Sequence, residues 1–185
     1  MSETTTYSRF AHGWARLACR TAGRALAQSR FEAVAGLPRW THLALSVTDI
    51  DAMIDWYTTH TPLELLVKRE DANGYGAWLG HSDAPDTPFI LVFAQFFAGH
   101  EPDEHAGPTP LGSFAHLGFE VADRSDIDAI AAVAEEGGWL ATPPLQLPHP
   151  IGYICMVRDP DGNTVEFSHD QGVYEFAQEH FTRPG

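Results

Sequence analysis

The chain has 185 residues, of which 44% are hydrophobic and 11% aromatic, and its formal net charge is −14. This composition predicts one folded domain or two small fused modules and excludes a largely disordered protein. The acidic charge argues against nucleic acid and anionic membrane surfaces as partners, and no apolar run approaches the roughly 18 residues that span a bilayer.

The numbers of cysteines and histidines bear on the cellular compartment and on metal binding. The two cysteines, Cys19 and Cys155, are too few to form a disulfide framework. They suit a reducing compartment, so we expect a cytoplasmic protein. Ten histidines are many for this length, which favours metal chemistry without identifying the ligands.

Residues 1–38 are predicted to be an N-terminal helical arm. This segment carries five arginines against two glutamates, whereas the rest of the chain is strongly acidic. Arg16, Arg20 and Arg24 recur every four residues and would stack along one side of a helix. We interpret the segment as an arm that lies against its own acidic body or a sister subunit. An organelle transit peptide is the alternative.

Residues 39–96 and 113–170 are predicted to be two modules with the same element order of strand, helix and three strands. In the first module the elements are predicted at 39–47, 49–60, 63–69, 75–80 and 88–95. In the second module they are predicted at 113–121, 125–136, 139–146, 153–158 and 163–168. Residues 97–112 are rich in Pro and Gly and indicate a linker, and 171–185 form a C-terminal tail.

The repeat of the βαβββ module predicts the fold. The helix of such a module covers one face of its sheet and leaves the other face bare, so a second module is needed. We therefore predict an α+β fold in which two βαβββ modules pair into a curled mixed sheet around a metal-containing cavity. His42 and His116 hold the same place in the two first strands, so they can converge in that cavity.

Glu166 supplies the third candidate ligand. It lies between Val165 and Phe167 in the last strand, and burying an ionised carboxylate there is costly unless a cation receives it. Either histidine, or Glu166, could by itself be an ordinary surface or core residue. Taken together, His42, His116 and Glu166 make a three-ligand set that suits Fe²⁺, Mn²⁺, Ni²⁺ or Zn²⁺.

Two segments resemble the vicinal oxygen chelate superfamily, which includes glyoxalase I, extradiol dioxygenases and the fosfomycin- and bleomycin-resistance proteins. The turn and strand Asp-Pro-Asp-Gly-Asn-Thr-Val-Glu-Phe at 159–167 are similar to the family's last strand with its metal-binding glutamate. The helix at 50–57 is similar to the family's first helix. Over residues 39–170 this resemblance implies metal histidines at His42 and His116, a small-molecule substrate and a homodimer. Whether the modules pair within one chain or across the dimer stays open.

One departure from the family pattern favours some branches over others. Glyoxalase I and related epimerases bring a fourth ligand from the last strand of the first module, and our alignment places Leu91 there, with Gln95 as a fallback. The resemblance therefore implies a dioxygenase or lyase, with Fe²⁺ favoured, that acts on a small molecule with adjacent oxygens. The alternatives are a glyoxalase-type isomerase and a small-molecule-binding resistance protein without catalysis.

Proton transfer in such a site needs a group that titrates near the working pH. His149, in the loop 147–152 that should overhang the cavity, is the first candidate for this role, and Tyr153 at the start of the next strand is the second.

Overall fold

The chain divides into two compact units, Met1–Trp40 and Thr41–Gly185. The computed structural model describes residues 40–81, 89–102, 107–108 and 110–182. The predicted N-terminal arm therefore lies outside the described residues. Among the helices that are described, none has the length and hydropathy needed to cross a bilayer.

The second unit contains the two predicted βαβββ modules. The elements of the first are β1 (His42–Ser46), α1 (Ile50–His60), β2 (Glu64–Glu70), β3 (Gly74–Gly80) and β4 (Ile90–Phe96). Those of the second are β5 (His116–Glu120), α2 (Arg124–Gly137), β6 (Leu140–Gln146), β7 (Tyr153–Arg158) and β8 (Thr164–His169). The predicted α+β class and the order of elements are confirmed. The C-terminal tail additionally contains a helix, α3 (Val173–Thr182), which the sequence analysis did not predict.

Each module forms its own four-stranded mixed sheet. The strand orders are β1-β4-β3-β2 and β5-β8-β7-β6. In both sheets the first strand runs parallel to the last, and the other pairings are antiparallel. Strands β1 and β5, which carry the candidate histidines, therefore lie at sheet edges.

The helices begin and end where the local sequence dictates. The Asp49 side chain accepts hydrogen bonds from the backbone N–H groups of Asp51 and Ala52, at 3.0 and 3.1 Å, which satisfies donors at the start of α1. Helix α2 ends at Gly138, whose φ of 74° is a left-handed conformation that glycine adopts without strain. Both helices contribute to one hydrophobic core. The face of each sheet that is turned away from its helix is therefore the face on which a functional site can lie.

A buried polar network joins the two modules. Tyr57 on α1 donates its hydroxyl to Asp159 Oδ2 at 3.0 Å, and Asn163 donates its side-chain amide to the same oxygen at 2.8 Å. The backbone N–H of Thr48 donates to Asp161 Oδ2 at 2.9 Å. The turn that precedes β8 thus fastens the second module to the first, in addition to leading into Glu166.

We expect Tyr57→Phe to lower the free energy of unfolding by about 1–3 kcal/mol, because a buried carboxylate loses one of its donors. Denaturant unfolding measures the change. Tyr174→Phe is the matched control, since Tyr174 is 68% exposed. Equal stability of the two variants would contradict the role assigned to the network.

The pH dependence of stability should also report on Asp159. Burial raises the pKa of this carboxyl above its ordinary 3.8, although hydrogen bonds from Asn163 and Tyr57 oppose the shift. The folded protein therefore holds the proton more tightly than the unfolded chain, and the contribution of Asp159 to stability falls as the pH rises through the interval above 3.8. We expect the unfolding free energy of the wild type, relative to Asp159→Asn, to decline across that interval. A flat or rising difference would be inconsistent with this shift.

Candidate functional site

His116 and Glu166 lie side by side on the face of the second sheet opposite α2. Strand β5 pairs with β8 so that Gly118 is opposite Glu166. His116, two residues before Gly118, therefore points to the same side as Glu166, whereas Val165 and Phe167 belong to the core. His116 Nε2 is 3.7 Å from Glu166 Oε2. Two of the three predicted metal ligands come together in this way.

The backbone before β5 orients the His116 ring. His116 Nδ1 is 2.7 Å from the carbonyl oxygen of Phe114. A carbonyl only accepts, so Nδ1 carries a proton, and the neutral tautomer that fits this bond has its lone pair on Nε2. Phe114 has a φ of 75°, a left-handed conformation that costs a non-glycine residue free energy. The strained turn thus directs Nε2, and not Nδ1, towards Glu166.

Glu166 is a nearly buried carboxylate that has one neutral donor. It is 5% exposed, and its Oε1 accepts a hydrogen bond from Gln171 Nε2 at 2.9 Å. Beside it, a Cβ added to Gly118 would meet no atom within 4 Å, so the face next to the carboxylate is open. The carboxylate is therefore placed to receive a cation from that open side.

His42, the third predicted ligand, does not join this pair within the chain. It is exposed at the edge of the first sheet, and its Nδ1 is hydrogen-bonded to Thr41 Oγ1 at 2.9 Å. Across the ranges that the structure describes, no group of three or more His, Cys, Asp or Glu side chains is placed to hold a metal ion. Within one chain, two of the three predicted ligands, His116 and Glu166, lie together, and His42 lies apart from them.

The pairing of β1 with β4 shows which residue of the first module is equivalent to Glu166, the position at which a fourth ligand was sought. In the second module Glu166 is opposite Gly118, two residues after His116. In the first module the residue opposite Ala44, two residues after His42, is Val92 and not Leu91. Leu91 is 4% exposed and belongs to the core. The equivalent position is still apolar, so the inference that it lacks a ligand is unchanged.

Gln95, the fallback fourth ligand, has a structural partner instead. Its Oε1 accepts a hydrogen bond from the backbone N–H of Ile50 at 2.9 Å. This bond satisfies a donor in the first turn of α1. The side-chain oxygen of Gln95 is therefore engaged in a hydrogen bond at the start of α1 and is directed to the helix.

The two proton-transfer candidates differ in placement. His149 lies in the loop before β7, exposed, with its ring 5.5 Å from that of Phe176. Tyr153 points to the helix side of the sheet, where its hydroxyl donates to Asp128 Oδ1 at 2.7 Å and the Arg124 guanidinium covers its ring. The hydrogen bond to Asp128 is the largest cause of its raised pKa. Tyr153 is therefore not on the face that carries Glu166, and its predicted role is not retained.

Similarity to known proteins covers both modules. Residues 39–167 match the family model described as Glyoxalase/Bleomycin resistance protein/Dioxygenase superfamily. The chain belongs to this superfamily. A protein of Pseudomonas aeruginosa named Uncharacterized protein PA2024 is 35% identical over 134 residues, which cover 72% of this chain and 90% of the relative. The resemblance drawn from the residues is confirmed.

Solved structures share the superfamily fold. A glyoxylase/bleomycin resistance protein/dioxygenase domain from Frankia has a TM-score of 0.54 at 24% identity and covers 71% of this chain and 97% of its own. TnmS3, an antibiotic binding protein from Streptomyces, scores 0.53 at 22% identity and covers 72% and 97%. Glyoxalase I of Leishmania major scores 0.53 at 18% identity and covers 78% and 96%. At these identities the likeness shows the fold alone.

Superfamily members bind small molecules, and many use divalent metal ions. The donors of His116 and Glu166 fit such an ion, because a neutral imidazole nitrogen and a carboxylate oxygen are ordinary ligands of divalent metals. Cys155, in contrast, lies on the core side of β7, and burial raises the pKa of its thiol to about 11. Cys155 is therefore a poor nucleophile in this superfamily member.

A cavity of about 240 Å³ lies beside Gln171, the residue that contacts Glu166. His149 lines this cavity, whereas His116 and Glu166 do not, so the placement of His149 over the metal site stays a prediction. The residues that line it are Glu120, His149, Asp170, Gln171, Gly172, Glu175, Phe176 and Glu179.

Sequence reasoning missed two residues of the site, Gln171 and Phe114. The side chain of Gln171 contacts Glu166, and the carbonyl of Phe114 contacts His116. Gln171 could not be found by strand alternation, since it follows the end of β8. The residue types at 112–114 do not mark the turn, because phenylalanine does not favour the positive φ that Phe114 adopts.

We expect Tyr153→Phe to leave the affinity for a divalent ion unchanged, because the hydroxyl faces α2 and not Glu166. Its loss should instead lower thermal stability slightly. Isothermal titration with a divalent ion and a melting curve measure the two effects. An affinity reduced by about tenfold or more would contradict this placement.

Proposed function

We propose that the protein is a metal-dependent enzyme of the dioxygenase or lyase type that acts on a small molecule with two adjacent oxygens. The observation that carries the proposal is the His116–Glu166 pair, in which Nε2 lies 3.7 Å from the buried Oε2 while Nδ1 is bonded to a backbone carbonyl. A divalent cation bound between this imidazole nitrogen and the buried carboxylate would stabilise the carboxylate.

His116, Glu166 and His42 would hold the ion, for which we favour Fe²⁺ over Mn²⁺, Ni²⁺ or Zn²⁺. Two histidines and one carboxylate leave positions open, as in non-haem Fe²⁺ oxygenases. When bound, such an ion would act as a Lewis acid towards the two substrate oxygens. Gly118, which has no side chain, leaves space for the substrate beside Glu166.

His42 would come from a second copy of the chain in a homodimer. Strands β1 and β5 are edges of separate sheets, each with a histidine at its start. An edge strand with unpaired backbone groups is a natural place for another chain. Phe114, 77% exposed just before β5, supports an apolar contact there. Placing β1 of one copy beside β5 of the other would bring His42 to the pair.

The first module supports an oxygenase or lyase over an isomerase. Glyoxalase-type proton shuttling needs a carboxylate on each side of the substrate, and Val92 stands where the second one would be. Trp78, opposite Val92 on the same face, is 43% exposed. The two side chains offer an apolar wall that suits a catechol-like or other unsaturated substrate body. His149, exposed beside the cavity, is the candidate proton carrier.

Purified protein should bind a stoichiometric divalent ion, and His116→Ala or Glu166→Ala should each abolish tight binding, because either change removes a ligand. Elemental analysis and calorimetric titration measure this. His149→Ala is the control that should keep the ion. Consumption of O₂ on addition of catechols would support the dioxygenase, whereas turnover of a hemithioacetal without O₂ would favour the isomerase.

Co-expression of two inactive variants tests the shared site. Differently tagged His42→Ala and Glu166→Ala chains should regain part of the metal binding, because one site of each mixed dimer keeps all three ligands. The control pair is His116→Ala with Glu166→Ala. His116 and Glu166 of one chain belong to the same site, so both sites of the mixed dimer lack a ligand and no metal binding should be regained. If the first pair also regains none, the ligands do not come from two copies.

Binding of a small molecule without catalysis is the second candidate. The open apolar face around Trp78 and Leu66, which is 56% exposed, favours it, and one structural neighbour is named as an antibiotic binding protein. This candidate gains if aromatic compounds bind equally well to the wild type and to Glu166→Ala.

A further inference from the structure

The segment that follows β8 turns back over the candidate site. Asp170 adopts a left-handed conformation with a φ of 59°, which reverses the chain. Gln171 Nε2 then donates to Glu166 Oε1 at 2.9 Å, and the backbone N–H of Gln171 donates to Glu120 Oε1 at 3.3 Å. Both acceptors lie on strands of the second sheet. One residue thus links the start of the C-terminal segment to the candidate metal carboxylate.

The start of helix α3 is attached to the loop before β7. The backbone N–H of Gly172 donates to the carbonyl of Pro150 at 2.9 Å, and the Phe176 ring lies against His149. Val173 and Tyr174 are 55% and 68% exposed. Within the described chain, no α3 side chain belongs to the hydrophobic core. These contacts attach the start of α3 to the loop before β7, and Gln171 links the same segment to strands of the second sheet.

The two oxygens of Glu166 have different surroundings. Oε1 accepts from Gln171, and Oε2 is the oxygen near His116 Nε2. The amide is neutral, so it orients the carboxylate without cancelling its charge. The cross-strand pair Ile154 and Ser168, on the same face, is 2% and 0% exposed. Water therefore has little access to replace the amide from that side.

We propose that Gln171 is the positioning residue of Glu166: it holds Oε1 so that Oε2 alone is presented to an ion at His116. This inference rests on the proposed metal site. Hydrogen bonds to a ligand oxygen restrict its orientation, and losing such a partner typically weakens metal affinity by about 10–100-fold. Because Gln171 also begins the C-terminal segment, metal binding and the docking of α3 are coupled in both directions.

The test uses Co²⁺ as the probe. Gln171→Leu should bind Co²⁺ about 10–100-fold more weakly than the wild type. Its visible absorption spectrum should also change, as Glu166 becomes free to bind through both oxygens. Gln171→Met, which keeps the length of the side chain, guards against a folding defect and should behave likewise. Tyr174→Ala, an exposed change in the same helix, is the control and should match the wild type.

Two outcomes would overturn the inference. Equal Co²⁺ affinity and an unchanged spectrum in the Gln171 variants would show that the amide does not position the carboxylate. Tighter binding would show that it blocks the ion instead. If the wild type binds no Co²⁺, or binds it equally after Glu166→Ala, the proposed metal site itself fails, which is a different result.

Hydrogen exchange supplies a readout that affinity alone does not. Co²⁺ should slow amide exchange in residues 170–176 of the wild type, because a positioned carboxylate favours the docked segment. The same addition should have little effect on these residues in Gln171→Leu. Identical protection in both proteins would contradict the coupling.

Discussion

The buried carboxylate of Glu166 is the constraint around which the second module is arranged. A charge at this depth is tolerated only if polar groups or a cation surround it. The parallel pairing of β5 with β8 places His116 beside it, and the left-handed turn at Phe114 orients the His116 ring. The Gln171 amide meets the other carboxylate oxygen. The face next to Gly118 stays open, which leaves space beside the carboxylate.

The two modules share an architecture and differ in what their free faces carry. At equivalent positions the second module has Glu166 and the first has Val92. The face of the second sheet is partly covered near Glu166 by the C-terminal segment, whereas Trp78 remains accessible on the face of the first. The first module therefore offers one histidine and an apolar wall, and the second offers a histidine and a carboxylate. The modules are joined by a shared hydrophobic core and by hydrogen bonds that include the one from Tyr57 to Asp159.

Most of the fold was accessible from the sequence because each element carries its own signal. Alternating apolar residues, acidic helix starts such as Asp49 and the matched histidines predicted both modules. The His116–Glu166 contact followed, since parallel neighbours in one sheet bring these strands together. The sequence alignment chose Leu91 as the equivalent of Glu166, whereas the observed register gives Val92, one residue later. The error arose because no side chain marks where β4 begins. One residue of slip reverses the face.

The features that the sequence did not predict depend on the conformation of single backbone residues or on which side of an element is exposed. Tyr153 was chosen as the second proton-transfer candidate because strand alternation does not say which face meets the helix. Its hydroxyl is instead bonded to Asp128 on α2. Gln171 reaches Glu166 only because Asp170 reverses the chain. Helix α3 was missed because its apolar residues, such as Val173, do not form a buried stripe. Local patterns also do not encode whether His42, which is apart from the pair within one chain, is supplied by a second copy as proposed.

Anomalous diffraction from crystals of the metal-loaded protein would locate the proposed ion. We expect a peak at about 2.0–2.2 Å from His116 Nε2 and from an oxygen of Glu166, with His42 of a second copy as the third protein ligand. A peak that lacks His116 or Glu166, or a site completed without a second copy, would contradict this expectation.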